Sequence, residues 1–231
     1  MGQKPAETSP ALAKGEITRR QMMRAAETLF ARDGLENVSV RALIQAAGQK
    51  NESALQYHFG SRQGLIEAIH SYRGGQVQRQ RAVMLQELLG QSNNPSLREL
   101  CTLMVGPACR LAVVDPGFRD YIAVFGQKVA LGERKMSVQL AAAGDRSLER
   151  LRPLLRQHLQ QWSEELFELR LEHAIRYASL AMSLQANKAE GFADANAALF
   201  YHDLLDILAA ILAAPVAAET ALLLQSGEGA V

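Results

Sequence analysis

Val38-Ser-Val-Arg-Ala-Leu-Ile-Gln-Ala-Ala-Gly48, continued to Tyr57-His58-Phe59, decides the reading of this chain. Ser39 is placed to cap a short helix, Val38 and Leu43 stand at hydrophobic-staple positions, and Gly48 ends the helix. Its apolar side is Leu43, Ile44 and Ala47. Asn51 then caps a second short helix that carries Leu55 and Phe59 inward. Upstream, Thr18 and Gln21 have capping-box spacing, which predicts a longer helix from Arg19 with Met22, Ala26, Leu29 and Phe30 on one face and a stop at Gly34. Gly60-Ser61-Arg62 launches a further helix. Three short-linked helices, the last two joined by a tight turn, have the layout of a helix-turn-helix, whose second helix enters a DNA major groove.

Charge is distributed in keeping with that layout. The 231 residues carry a net charge of only +1, but residues 1–81 hold 12 Lys/Arg against 7 Asp/Glu, and residues 82–231 hold 13 against 17. A basic head on an acidic body suits a polyanion-binding module joined to something else. With 48% hydrophobic residues the chain can bury a real core. Cys101 and Cys109 lie about 12 Å apart if they share a helix, too far to bridge. They read as small core hydrophobes in a reducing compartment. Residues 1–15 lack an apolar signal region and read as a flexible tail. Ile207–Ala218 is charge-free but shorter than the roughly 20 residues a bilayer span needs. These features predict a soluble, cytoplasmic chain with no membrane partner.

The rest of the sequence is rich in Ala, Leu, Gln, Glu and Arg, and almost nothing reads as strand. A long helix is predicted from Ser61 to about Leu89, bent or broken at Gly74-Gly75, where each glycine costs roughly 1 kcal/mol relative to alanine. Gly90–Pro95 is a loop. Further helices are predicted over about 96–113, 117–132, 145–159, 164–187 and 194–213, with Pro107 and Pro153 at kinks or early helix positions. The fold class expected is all-α. Residues 16–62 form a three-helix DNA-binding domain, 63–215 a helical ligand-binding and dimerisation domain, and 216–231 a partly frayed extension.

Thr18–Arg20, Phe30, Gly34, Ser39–Arg41, Ala47-Gly48, Tyr57-His58-Phe59 and Ser61-Arg62 together resemble the tetracycline-repressor (TetR) family of bacterial regulators. The resemblance covers about residues 16–69, and the body carries no motif of its own. Between Gly48 and Phe59 the chain has one residue more than the family's commonest spacing. The resemblance implies a homodimer on a pseudo-palindromic DNA operator, paired through the last two long helices, 164–187 and 194–213. Ala174, Ala178, Ala181, Ala186, Ala197, Ala209 and Ala210 keep those helices slim. It also implies an unidentified small-molecule effector that changes the tilt of the long helix and so the spacing of the recognition helices. The glycine pair Gly74-Gly75 is itself expected to be the compliant point where that tilt is absorbed. The expected function is a ligand-responsive regulator, a repressor released by a small and largely apolar effector. The alternative is a helical adaptor or scaffold dimer without specific DNA binding.

Candidate DNA contacts follow from residue chemistry and from the resemblance. Ser39 and the amides beside it, with Val40, suit a phosphate; so do Ser61 and Arg62, Thr18 and Arg19, and Lys50 and Asn51 in the turn. The resemblance gives Tyr57 and His58 the same role. For base reading, Arg41 can pair bidentately with guanine, Gln56 suits adenine, and Ser53 and Ala54 stand beside it. Arg41 and Arg62 also fit plain solvated surface charges. In the body, Met104, Phe118, Tyr121, Phe125, Trp162 and Tyr177 are candidate effector contacts, with Arg110, Arg119 and His173 as polar ones. The same stripe fits an ordinary core. No catalytic motif, metal-ligand spacing or cofactor signature is found: there is no phosphate-cradling Gly loop, no His-Glu-x-x-His and no Gly-x-Ser-x-Gly. The chain therefore reads as a non-enzyme.

Overall fold

The computed structural model describes residues 10–132, 148–193 and 195–226. Among them every regular element is a helix: α1 (Pro10–Asp33), α2 (Val40–Ala46), α3 (Ser53–Phe59), α4 (Arg62–Gln91), α5 (Leu97–Val114), α6 (Pro116–Leu131), α7 (Leu148–His158), α8 (Glu164–Ala186), α9 (Ala195–Ala213) and α10 (Ala218–Ser226). The chain divides into two compact units, Met1–His70 and Ser71–Val231.

In the first unit the core is drawn from every helix. Met22, Met23, Ala26, Leu29 and Phe30 of α1, Val38, Leu43 and Ile44 at α2, Leu55 of α3, and Leu65, Ile66 and Ile69 of α4 are all buried. The unit thus takes in the start of α4, past the expected domain end at Arg62. Ser39 caps α2 as expected, its hydroxyl accepting from the Ala42 amide at 3.2 Å. The amides of Gly48 and Gln49 close back on the carbonyls of Gln45 and Ile44 at 3.0 and 2.9 Å. This two-bond closure requires a left-handed residue, and Gly48 supplies it at φ 66°. One expectation fails here. Helix α1 begins at Pro10, so Thr18 lies inside it and its hydroxyl donates to the Lys14 carbonyl at 3.1 Å instead of capping an end. Residues 10–15, expected as tail, are helical; residues 1–9 lie outside the described residues.

In the second unit α6 and α8 form the most extensive pairing, and the sequence shows why they come so close. A side chain at Gly126 would stand 2.7 Å from the Ser179 carbonyl and 2.8 Å from Ser183 Cβ. The Ser183 hydroxyl donates to the Ala123 carbonyl at 2.8 Å. The two helices are antiparallel and each caps the other. Arg119 of α6 donates to the Ala186 carbonyl at 2.9 Å, and Arg176 of α8 donates to the Ala130 and Gly132 carbonyls at 2.6 and 2.8 Å. Cationic donors at helix C-termini satisfy orphan carbonyls and complement the helix dipole.

Helix α4 runs unbroken through Gly74-Gly75, because burial of its flanks at Arg73, Arg81 and Met84 outweighs the propensity loss of two glycines. The extension carries helix α10 from Ala218 to Ser226; residues 227–231 lie outside the described residues, as does the expected start of the 145–159 helix. Both cysteines are free, Cys101 buried and Cys109 half-buried, as their spacing implied.

Pro107 lies in the middle of α5 and has no N–H for the carbonyl four residues back, that of Leu103. The Arg81 Nε of α4 donates to that carbonyl at 2.7 Å, which gives a guanidinium only 5% exposed one of its partners. Arg81→Met should therefore lose about 2 kcal/mol in urea unfolding. Adding Pro107→Ala, which restores the missing amide, should recover roughly 1 kcal/mol of that loss. Strict additivity of the two substitutions would refute the pairing.

Candidate nucleic-acid interface and cavity

The helix-turn-helix presents a face of unspent polar groups. Arg41 on α2, Lys50 and Asn51 in the turn, and Ser53, Gln56 and Tyr57 on α3 are all exposed, Tyr57 by 83%. Among the described residues, Arg41, Lys50 and Gln56 make no side-chain hydrogen bond or ion pair. Asn51 shapes the start of α3, its side-chain oxygen accepting from the Ser53 amide at 3.0 Å. His58 is half-buried, its ring edge-on to Tyr57 at 4.9 Å between centroids and tilted against Phe59 at 6.2 Å. Ala54 is half-buried beside them, and Val40 opens α2. Gly60, at φ 73°, ends α3, and the Ser61 hydroxyl accepts from the Gly64 amide at 2.9 Å, so Ser61 caps α4.

Two arginines in the candidate set also have structural work. The Arg62 guanidinium donates to the Leu35 carbonyl and lies over the Phe30 ring at 5.6 Å. Arg19 lies over the Phe59 ring at 5.1 Å and reaches the Met23 sulfur. These contacts pin the loop after α1 and the end of α3, which places Arg62 and Arg19 among the residues holding the unit together. Sequence spacing could not separate them from Arg41, since all three are basic residues near helix starts.

The second unit holds a cavity of about 150 Å³ walled by α4, α5, α6 and α8. Met104, Phe118, Tyr121 and Phe125 line it, as the sequence reading expected. The other candidates lie elsewhere. Arg110 is exposed and paired with Glu87 at 3.2 Å. Arg119 is committed to the end of α8. His173 and Tyr177 are exposed on α8. Trp162 lies under the Arg170 guanidinium at 4.6 Å. The helical period explains the miss at 173 and 177: the inward stripe of α8 is Ile175, Ala178, Ser179 and Met182, one step round the helix from the residues chosen for size. Arg81, Gly74 and Gly126 also line the cavity and carry no signal in the sequence for doing so.

At the start of α6 lies an ion pair between a buried arginine and a half-buried aspartate. Arg73 of α4, 3% exposed, donates to Asp115 at 2.5 Å and lies over the Phe118 ring at 5.4 Å. Asp115 also caps α6, accepting from the Gly117 amide at 2.8 Å. Burial pushes the Asp115 carboxyl up, but the Arg73 hydrogen bond and charge, with the backbone amides, outweigh it and hold the group below its ordinary value. Burial pushes the thiols of Cys101 and Cys109 up to about 12, so neither is a nucleophile at neutral pH.

A compact three-helix unit with an exposed Arg, Lys, Gln and Tyr around a helix-turn-helix has the layout of a DNA-binding module. Residues 22–69 match the family model of the bacterial regulatory proteins of the tetR family. The match covers the helix-turn-helix of the first unit and supports a DNA-binding transcription regulator. Among solved structures it is similar to a variant of HlyIIR with an alanine-substituted segment (17% identity, 87% of this chain and 97% of that one, TM-score 0.50). It also resembles RolR in complex with resorcinol (16%, 89% and 97%, TM-score 0.46) and Salmonella enterica GusR (18%, 90% and 99%, TM-score 0.47). No curated protein matches the chain.

Arg41→Ala should weaken duplex binding by about 1–3 kcal/mol with the melting temperature unchanged, whereas Arg62→Ala should lower the melting temperature by several degrees. Gel shifts and thermal melts of both variants check this, and a reversed pattern would show the assignments to be exchanged. Because the Asp115 pKa is depressed in the fold, its stabilising contribution is present above the ordinary carboxylate value near 3.8 and is lost as pH falls through the lower, folded value. Asp115→Asn, which keeps a capping side chain, should therefore flatten the acid limb of the stability curve below that value. An identical acid limb in the variant would contradict the assigned role.

Proposed function

We propose that the protein is a ligand-responsive repressor that binds a pseudo-palindromic DNA site as a homodimer and is released when a small, largely apolar effector enters the α4–α8 cavity. The observation that carries the DNA reading is the unengaged Arg41, Lys50 and Gln56 side chains around the exposed Tyr57, on a unit matched to the family. Backbone phosphates supply most of the affinity of such a surface and base edges its selectivity. A cytoplasmic location follows from the partner.

The dimer reading rests on apolar surface that the single chain does not cover. The stretch Asn196–Ala213 of α9 is long and apolar enough to cross a membrane, yet only 22% of it is buried. Leu204, Leu205, Leu208 and Leu212 fill the core while Leu199 faces outward. Leu169, Tyr177 and Leu184 are exposed along α8, eight and seven residues apart, a spacing that returns to one face of a helix. Exposed apolar residues so arranged mark an interaction face, and a two-fold pair of α8 and α9 from two copies covers it isologously.

The response would run through α4. This helix carries Arg73, whose partner Asp115 starts the helix that holds Phe118, Tyr121 and Phe125 against the cavity. An effector that displaces Phe118 acts on the same residue pair that fixes α4, and differential contact of this kind typically shifts affinity by about 1–3 kcal/mol.

In a gel shift on a duplex selected from a random pool, affinity should fall steeply between 50 and 200 mM salt, by at least about a hundredfold for six or more phosphate contacts. Leu184→Glu with Leu199→Glu should convert the sedimentation of the chain to that of a monomer and abolish retention at physiological salt. Salt-insensitive retention, or a dimer undisturbed by both charges, would count against this function.

A further inference from the structure

The walls of the α4–α8 cavity define the chemistry of what fills it. Resting on the reading of that cavity as the effector site, we propose that it takes an uncharged, single-ring phenol, with the ring held among aromatic and thioether side chains and its hydroxyl bonded to Ser179.

Size comes first. The cavity measures about 150 Å³, and apolar cavities of about that volume accept benzene. Shape and surface come next. Phe118, Tyr121 and Phe125 come from one helix, Met104 and Met182 from its two neighbours. Tyr121 is tilted against both Phe118 and Phe125 at centroid distances of 5.7 and 5.2 Å, a continuous aromatic wall along α6. A flat ring gains edge and face contacts with such a wall, and sulfur adds favourable contact at a ring edge.

Charge is excluded from both sides. Among the described lining residues there is no carboxylate and no imidazole, so an ammonium would be buried without a counter-ion, at a cost of several kcal/mol. The one charged lining group, Arg81, is a cation already bonded to the Leu103 carbonyl and engaged elsewhere in the fold. Its Nε is spent within the fold and the residue is only 5% exposed.

One polar handle remains. Ser179 lies on the lining face of α8, and among the described residues its hydroxyl makes no hydrogen bond. A serine hydroxyl both donates and accepts, so it matches a ligand hydroxyl and favours it over a methyl-only analogue. Its own backbone carbonyl is packed against Gly126, which fixes the height of the hydroxyl along the cavity wall. Tyr121, the other lining residue with a hydroxyl, has its ring packed between Phe118 and Phe125.

The test is thermal melting of the full chain against five probes: 4-methylphenol, toluene, 4-methylbenzoate, 4-methylbenzylammonium and 2-naphthol. Ligand binding raises the melting temperature by mass action. The dissociation constant for 4-methylphenol should be at least tenfold lower than for each of the other four. Ser179→Ala should shrink the gap between 4-methylphenol and toluene to less than threefold while toluene binding stays within twofold. A charged probe or 2-naphthol binding as tightly as 4-methylphenol would overturn the proposal. So would the absence of any shift, or an unchanged phenol preference in Ser179→Ala. A gel shift of the same chain with and without 4-methylphenol separates this inference from the regulatory reading beneath it. Binding that leaves DNA retention intact keeps the ligand class and removes the effector role, and retention of DNA with no probe bound removes the ligand class alone.

Discussion

The pairing of buried Arg73 with half-buried Asp115 sets the terms for the second unit. A guanidinium 3% exposed to solvent is tolerated only if its charge and its donors are met. Here Asp115 meets the charge at 2.5 Å, Gln76 accepts a hydrogen bond at 2.8 Å, and the rings of Tyr72 and Phe118 each lie 5.4 Å away. The same carboxylate starts α6 by capping it. One interaction therefore fixes where α6 begins, which way Phe118 points, and how α4 lies against both. Any molecule entering beside Phe118 meets a wall whose position is tied to the helix that carries residues of both units.

A second constraint follows from one proline. By removing an amide from the middle of α5, Pro107 leaves the Leu103 carbonyl to be satisfied from outside the helix, and Arg81 supplies the donor. Arg81 then stands in the cavity wall with its Nε engaged. The closeness of α6 and α8 has an equally local origin in Gly126 and in the reciprocal caps of Arg119 and Arg176. Small residues and cationic caps, more than large side chains, give the cavity its walls.

Much of this was legible in the sequence, and the reasons are specific. Ser39, Gly48 and Gly60 are short-range signals whose meaning is fixed by backbone geometry alone, so the helix-turn-helix could be read without knowing what surrounds it. Phe118, Tyr121 and Phe125 were legible because one helix carries them on one side. Three details turn on partners or packing that lie beyond the local sequence. Arg62 is claimed by Leu35 and Phe30, Arg110 by Glu87, and Gly74-Gly75 stays helical through burial of its neighbours. Thr18 failed for a local reason: capping-box spacing also occurs within a helix, where the hydroxyl turns back to the carbonyl four residues earlier. Ser179 could not have been found from sequence, because nothing distinguishes it from other small residues of α8 until the cavity is in view.

The proposed reading of duplex DNA by two copies of the head is measured most directly by hydroxyl-radical footprinting of the full chain on a selected duplex. The predicted pattern is two protected patches on one face of the helix, with centres about 34–36 Å apart or at a multiple of that spacing. A single patch, or cleavage indistinguishable from that of free DNA, would contradict it.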